Sequence, residues 1–145
     1  MKLTLEQVRT WYDGKAGLKK VDPEIKSVIN LLNVLPGCAT ICSCAGCGII
    51  GGTKKSLHPK YQEPYIFMVC RNVHSMFLLM SAARSAQCIV EYIPANSKDC
   101  VFSEENQEDT ICFRFYHLCQ MARFGDKLID LKKLKGVKKV SSSEL

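Results

Sequence analysis

Four of the chain's nine cysteines crowd into Cys38-Ala39-Thr40-Ile41-Cys42-Ser43-Cys44-Ala45-Gly46-Cys47. Three chemistries compete for that segment. The first is metal binding. Zinc takes about four ligands at roughly 2.0–2.3 Å, and Cys42, Cys44 and Cys47 can supply some of them. Cys44 and Cys47 have ligand spacing, but no second Cys-x-x-Cys follows, and neither His58 nor His74 stands at a knuckle spacing. The second is redox cycling by the Cys44–Cys47 pair. That motif usually opens a helix after a strand, and Gly48-Ile49-Ile50-Gly51-Gly52 is a poor helix start. The third is a ligand site built from backbone. Gly46 and Gly48 permit unusual dihedrals and close approach, a strand-to-loop turn presents N–H groups, and Thr40 and Ser43 add hydroxyls. The plainest alternative is a tight turn whose cysteines pack under neighbouring helices. Spacing alone favours that last reading.

A second group is basic. Lys54, Lys55, Lys60 and Arg71 can bracket the same mouth and contact RNA phosphates, or simply cover a solvated loop. Tyr61 can stack on an unpaired base or cover the core. Arg114 lies in the middle of an apolar run. It needs an anion there, and a carboxylate such as Glu91 is the expected partner. His74 and His117 stand near helix starts and read as surface residues. No cysteine or serine has a recognisable His and Asp/Asn partner, so no catalytic residue is named by pattern.

These groups must be positioned by elements whose periods are clear. Thr4 and Gln7 form a capping box for a first helix, with Leu5, Val8 and Tyr12 on one face. Asp22 and Pro23 open a second helix, and Ile25, Val28, Ile29 and Leu32 give it a core-facing stripe that ends at Pro36-Gly37. Cys38 to Cys42 reads as a strand that enters a loop at Ser43. Tyr65 to Cys70 is apolar on both faces, as a central strand covered on both sides should be. Asn72 caps a third helix whose stripe is Val73, Met76, Phe77, Met80 and Ala83. Cys88 to Ile93 and Thr110 to Tyr116 are strands, the latter with Ile111, Phe113 and Phe115 on one face. From His117 the period is helical, with Leu118, Met121, Ala122, Leu128 and Ile129 in register and Gly125 as a break.

This order predicts an α+β fold: a single compact domain over residues 1–140, a mixed sheet with helices packed against it, and a frayed tail at 141–145. With 145 residues, 47% apolar and 23% charged, the composition is globular and excludes wholesale disorder. No apolar run approaches the roughly 18 residues of a membrane span. The opening Met1-Lys2-Leu3-Thr4-Leu5-Glu6-Gln7 does not read as a secretory signal, so the cysteines are expected as thiols in the cytoplasm. A net charge of +6 permits an anionic partner, though without the dense basic stripe of a DNA binder.

Two segments carry a family resemblance. Asp22-Pro23-Glu24-Ile25 through Ile29, Asn33, Pro36, Thr40 and Ser43-Cys44-Ala45-Gly46 resembles the opening of the wybutosine-synthesising tRNA methyltransferase family. Glu63-Pro64-Tyr65-Ile66, Val69-Cys70-Arg71-Asn72, Leu79, Ala82 and Ala83 are similar to that family's Glu-Pro-Phe strand and following helix. Cys47 stands where the family carries arginine, and no tryptophan accompanies His58. The resemblance implies an α+β fold, a cytoplasmic location, and S-adenosylmethionine-dependent methylation of a tricyclic guanosine in tRNA. By position, Thr40, Ser43, Cys44 and Gly46 would hold the methyl donor, and no metal is needed. A non-enzymatic module binding a small ligand or a protein on the same fold is the alternative, and a small zinc-stabilised domain is the third reading.

Overall fold

The computed structural model describes residues 3–16, 23–44, 63–97 and 108–144, with side chains through residues 10 and 133 of the first and last helices. The elements follow in the order α1 (Leu5–Ala16), a 3₁₀ turn (Pro23–Ile25), α2 (Lys26–Val34), β1 (Cys38–Cys44), β2 (Tyr65–Cys70), α3 (Val73–Ala86), β3 (Ile89–Ile93), β4 (Thr110–Arg114) and α4 (Leu118–Glu144). The sheet order is β1-β2-β4-β3. Every neighbouring pair is antiparallel, so the sheet is not the mixed one expected. The reason is topological. β2, α3 and β3 form a crossover unit whose two strands run parallel, but β4 lies between them and pairs with both. Split units of this kind turn a βαβ sequence pattern into an antiparallel sheet.

β2 is central, as its two apolar faces required. Ile66 and Met68 join one core with Cys38, Ile111, Phe113 and Phe115, under α2, α3 and α4. Phe67 and Val69 join the other with Ala39, Ile41, Ile93 and Cys112, under Val8 of α1. The capping box at α1 forms in both directions: Thr4 N–H donates to Gln7 Oε1 at 2.9 Å, and Gln7 N–H donates to Thr4 Oγ1 at 3.1 Å. The second helix begins as the 3₁₀ turn at Pro23, and α2 proper starts at Lys26. Asp22 lies outside the described residues. The expected stripe of Ile25, Val28, Ile29 and Leu32 is buried.

Two helices differ from expectation. Gly125 does not break α4, which runs from Leu118 to Glu144. A Cβ on Gly125 would come within 3.1 Å of Val28 Cγ2, so this glycine lets α4 approach α2 closely. Gln120, which carries no periodic signal, is buried and ties α3 to α4. Its Nε2 donates to Ala86 O and Gln87 O at 3.0 and 2.8 Å, and its Oε1 accepts from Tyr116 N–H at 2.6 Å. α3 is rotated relative to its expected stripe. Asn72 caps it as read, accepting the Ser75 N–H at 3.0 Å, but its buried residues are Ser75, Leu79, Ala82, Ala83 and Ala86. Val73 is 74% exposed and Phe77 69% exposed.

Candidate functional site

Thr40 sits inside a hydrogen-bonded network. Its N–H donates to Asn33 Oδ1 at 2.8 Å, and its hydroxyl oxygen accepts from Asn33 Nδ2 at 3.0 Å. Asn33 is itself held by Arg9, whose Nε donates to Asn33 Oδ1 at 3.2 Å. The same guanidinium donates to Asn33 O and Cys38 O at 2.9 and 3.1 Å. Buried polar groups need such partners. The network joins α1, α2 and β1, and it leaves Thr40 a structural part to play. Sequence reasoning missed Arg9. The signal was there: Leu5, Val8 and Tyr12 define an i, i+3, i+7 stripe, and Arg9 occupies its i+4 position.

Ser43 and Cys44 do not open a loop, as expected, but extend β1 opposite Ile66 and Tyr65, beyond an irregularity between Thr40 and Cys42. Continued pairing with β2 keeps them in the strand, with Ser43 half-buried and Cys44 buried. Burial pushes the Cys42 thiol up to about 12, which opposes the thiolate that a metal ligand requires. Among the described residues no group of three His, Cys, Asp or Glu is arranged to hold a metal ion. Gly46, Cys47, Lys54, Lys55 and Lys60 lie outside the described residues.

The other end of the β1–β2 pair has a different character. Gly37, at φ +71°, turns the chain from α2 into β1, and its carbonyl accepts the Arg71 N–H at 2.8 Å. Ser75 Oγ donates to Pro36 O at 2.7 Å, which ties the start of α3 to the same turn. Cys38 pairs in register with Cys70, and their Sγ atoms lie 3.4 Å apart. Arg71 meets the buried carboxylate of Glu108 in a two-pronged contact, Nε to Oε2 at 2.7 Å and an Nη to Oε1 at 2.6 Å. That partner raises the guanidinium's pKa further. Arg71→Ala removes both charge-assisted hydrogen bonds to the buried Glu108, and the expected loss is about 2–3 kcal/mol of stability, read by urea denaturation. Unchanged stability would show that water replaces the guanidinium there.

Cys70, Arg71, Asn72, Val73, Met76, Phe77 and Met80 line an open cleft of about 460 Å³. Its wall is the apolar stripe that periodicity assigned to the core. A smaller cleft of about 160 Å³ lies between α2 and α4, around Val28, Met121 and Gly125. Neither contains Thr40, Ser43 or Cys44. Cys70 is the polarised thiol of the larger cleft. The hydrogen bond from Cys38 lowers it most, burial opposes, and backbone hydrogen bonding at Asn72 lowers it again, bringing it from 9.0 to about 7. A thiol lowered in this way reacts as thiolate at lower pH. Alkylation of Cys70 by iodoacetamide should therefore rise through about pH 7, which peptide-resolved mass spectrometry can follow. A midpoint near 9 would contradict the assignment.

Arg114 finds its expected partner, with Nε 3.0 Å from Glu91 Oε1. The contact is an ion pair without the alignment of a hydrogen bond. His117 and Cys119 are both exposed and touch, Nδ1 to Sγ at 2.8 Å.

No family model and no curated protein matches the chain. Among solved structures, it is similar to the PH1069 protein from Pyrococcus horikoshii over 91% of this chain and 94% of that one, at 12% identity and a TM-score of 0.42. A likeness at that level carries no inference about function.

Proposed function

We propose that the chain is a tRNA-modifying, S-adenosylmethionine-dependent methyltransferase of the wybutosine-synthesising kind, and that the methyl donor occupies the cleft beside Cys70 and α3. One observation carries this reading. Val73 and Phe77 of the expected apolar stripe are left exposed, Met76 and Met80 are half-buried at the edge of the core, and together they line a concave surface with the Cys70-Arg71-Asn72 segment. Ligand pockets are typically about 300–1,000 Å³ and mostly apolar, with a few polar groups at fixed places. The two segments that carry the family resemblance include the paired strands β1 and β2, and by position the resemblance itself puts the methyl donor at Thr40, Ser43, Cys44 and Gly46. Asn33 then bonds Thr40, and Gly37 bonds Arg71. The cofactor position moves with this reading from the Thr40–Gly46 segment to the opposite end of those strands.

The residues fit the group. Phe77 offers an exposed ring face to a planar base, and Val73, Met76 and Met80 keep water from it. When bound, S-adenosylmethionine supplies a methyl group on a sulfonium sulfur. Methyl transfer to a ring nitrogen is then chiefly a matter of holding two groups in line. Arg71, held by Glu108, lines the cleft, and in this reading Arg71 and the basic Lys54, Lys55 and Lys60 of the sequence contact RNA phosphates.

The test is transfer of labelled methyl from S-adenosylmethionine to unmodified or partly modified tRNA, alongside calorimetry of each ligand alone. Label in tRNA supports the enzyme. Absence of S-adenosylmethionine binding at high protein concentration refutes it. A second reading, a non-enzymatic small-ligand module, is favoured by the engagement of Arg71 with Glu108, which leaves the cleft largely apolar. Binding of S-adenosylmethionine without transfer to any tRNA would select it.

A further inference from the structure

Cys38 and Cys70 are both thiols, drawn from strands that face each other across 32 residues of sequence. Their register matters. Arg71 N–H bonds to Gly37 O, one residue outward from Cys38 and Cys70 on either strand, so the two cysteines form a non-hydrogen-bonded pair of the antiparallel ladder. Such pairs have the closest Cα approach, about 4.5 Å, within the roughly 4.4–6.8 Å that a disulfide spans. The Sγ atoms already touch at 3.4 Å.

The two thiols are unlike. Cys70 is half-buried and lines the open cleft, so a small oxidant reaches it. Cys38 is fully buried, shielded from solvent but aimed at Cys70. The hydrogen bond between them runs from Cys38 to Cys70, favouring thiolate at Cys70, while burial and that donor role hold Cys38 as thiol. An accessible attacking thiol beside a sheltered second one is the arrangement of a peroxide-sensing pair.

We propose that Cys38 and Cys70 are an oxidative modification site, at which hydrogen peroxide converts the two thiols into one reversible disulfide joining β1 to β2. The Cys70 thiolate attacks one peroxide oxygen. An S–O bond forms, the O–O bond breaks, and the departing hydroxide leaves as water with the proton that Cys70 gave up. The Cys38 sulfur then attacks the sulfenic sulfur. The S–S bond forms, the S–O bond breaks, and the second hydroxide leaves as water with the Cys38 proton. Two thiols lose two electrons to one peroxide, and two waters result. A reducing thiol reverses the change by two exchange steps. The site is independent of the methyl-transfer reading.

The experiment uses the reduced 145-residue chain and hydrogen peroxide, followed by alkylation, digestion without reductant and mass spectrometry. The expected product is the Cys38 peptide joined to the Cys70 peptide, two hydrogens lighter than their sum and separated by dithiothreitol. In Cys38→Ala the linked peptide disappears and dimedone traps Cys70 as sulfenic acid. Should that variant not fold, the map of the unmodified sequence decides alone. The proposal is overturned if Cys38 and Cys70 are both recovered as alkylated thiols after the exposed Cys119 has been oxidised. It is overturned equally if Cys70 proceeds to sulfinic acid with Cys38 intact, or if either is found bridged to another cysteine.

Discussion

Phe77→Ala is expected to weaken S-adenosylmethionine binding about 5- to 150-fold, because an aromatic platform under a base contributes about 1–3 kcal/mol. The same change should barely alter stability. Phe77 is 69% exposed, and substitutions at such surfaces usually stay within about 0.5 kcal/mol. That combination separates the two roles an apolar helix residue can have. A core residue cut to alanine lowers the melting point by several degrees and leaves affinity intact only if the site survives. A platform residue does the reverse. Phe77→Tyr should retain most of the affinity, since the ring face remains. Equal affinity in Phe77→Ala, measured by calorimetry, would remove the cleft from the account.

Gly37→Val should be the most destabilising single change near the site. Gly37 has φ +71°, and a Cβ there would lie 2.7 Å from Asn72 Cβ and 2.9 Å from Asn72 N. A non-glycine residue in such a conformation costs about 1–3 kcal/mol, most for a β-branched one, and a steric overlap adds about as much. The total, about 3–5 kcal/mol, is a large share of the stability of a chain this size, at roughly 0.05–0.15 kcal/mol per residue. A melting point lower by about 10 °C or more follows. The atoms that must move belong to Arg71 and Asn72, at the rim of the cleft, so affinity for S-adenosylmethionine should fall with stability. A valine variant that melts like the parent chain would mean that the turn relaxes without cost.

Much of the fold could be read from local pattern. The capping box of Thr4 and Gln7, the α2 stripe and the two-faced β2 depend on neighbours in sequence, and they formed as read. The misread elements depend on partners far along the chain. α3 offered two faces, one with Val73, Met76, Phe77, Met80 and Ala83 and one with Leu79, Ala82 and Ala86. Periodicity weighed residue size and chose the first. Close packing against α4 needs the small residues, so Leu79, Ala82, Ala83 and Ala86 are buried, Met76 and Met80 sit half-buried at the edge, and Val73 and Phe77 are left exposed. The insertion of β4 between β2 and β3 likewise has no local signature. Nor does the meeting of Cys38 with Cys70, which follows from the register of β1 on β2. The cysteine-rich segment drew attention by density, whereas the site assembled here joins residues that are ordinary singly.

The methionines supply the most direct test of where the methyl donor sits. Met76 and Met80 line the cleft, whereas Met68 and Met121 are fully buried in the core. With methyl-¹³C methionine in the protein, titration with S-adenosylmethionine should shift the Met76 and Met80 methyl resonances saturably and leave those of Met68 and Met121 in place. Cleft methyls that stay unmoved at saturating ligand would contradict the central claim.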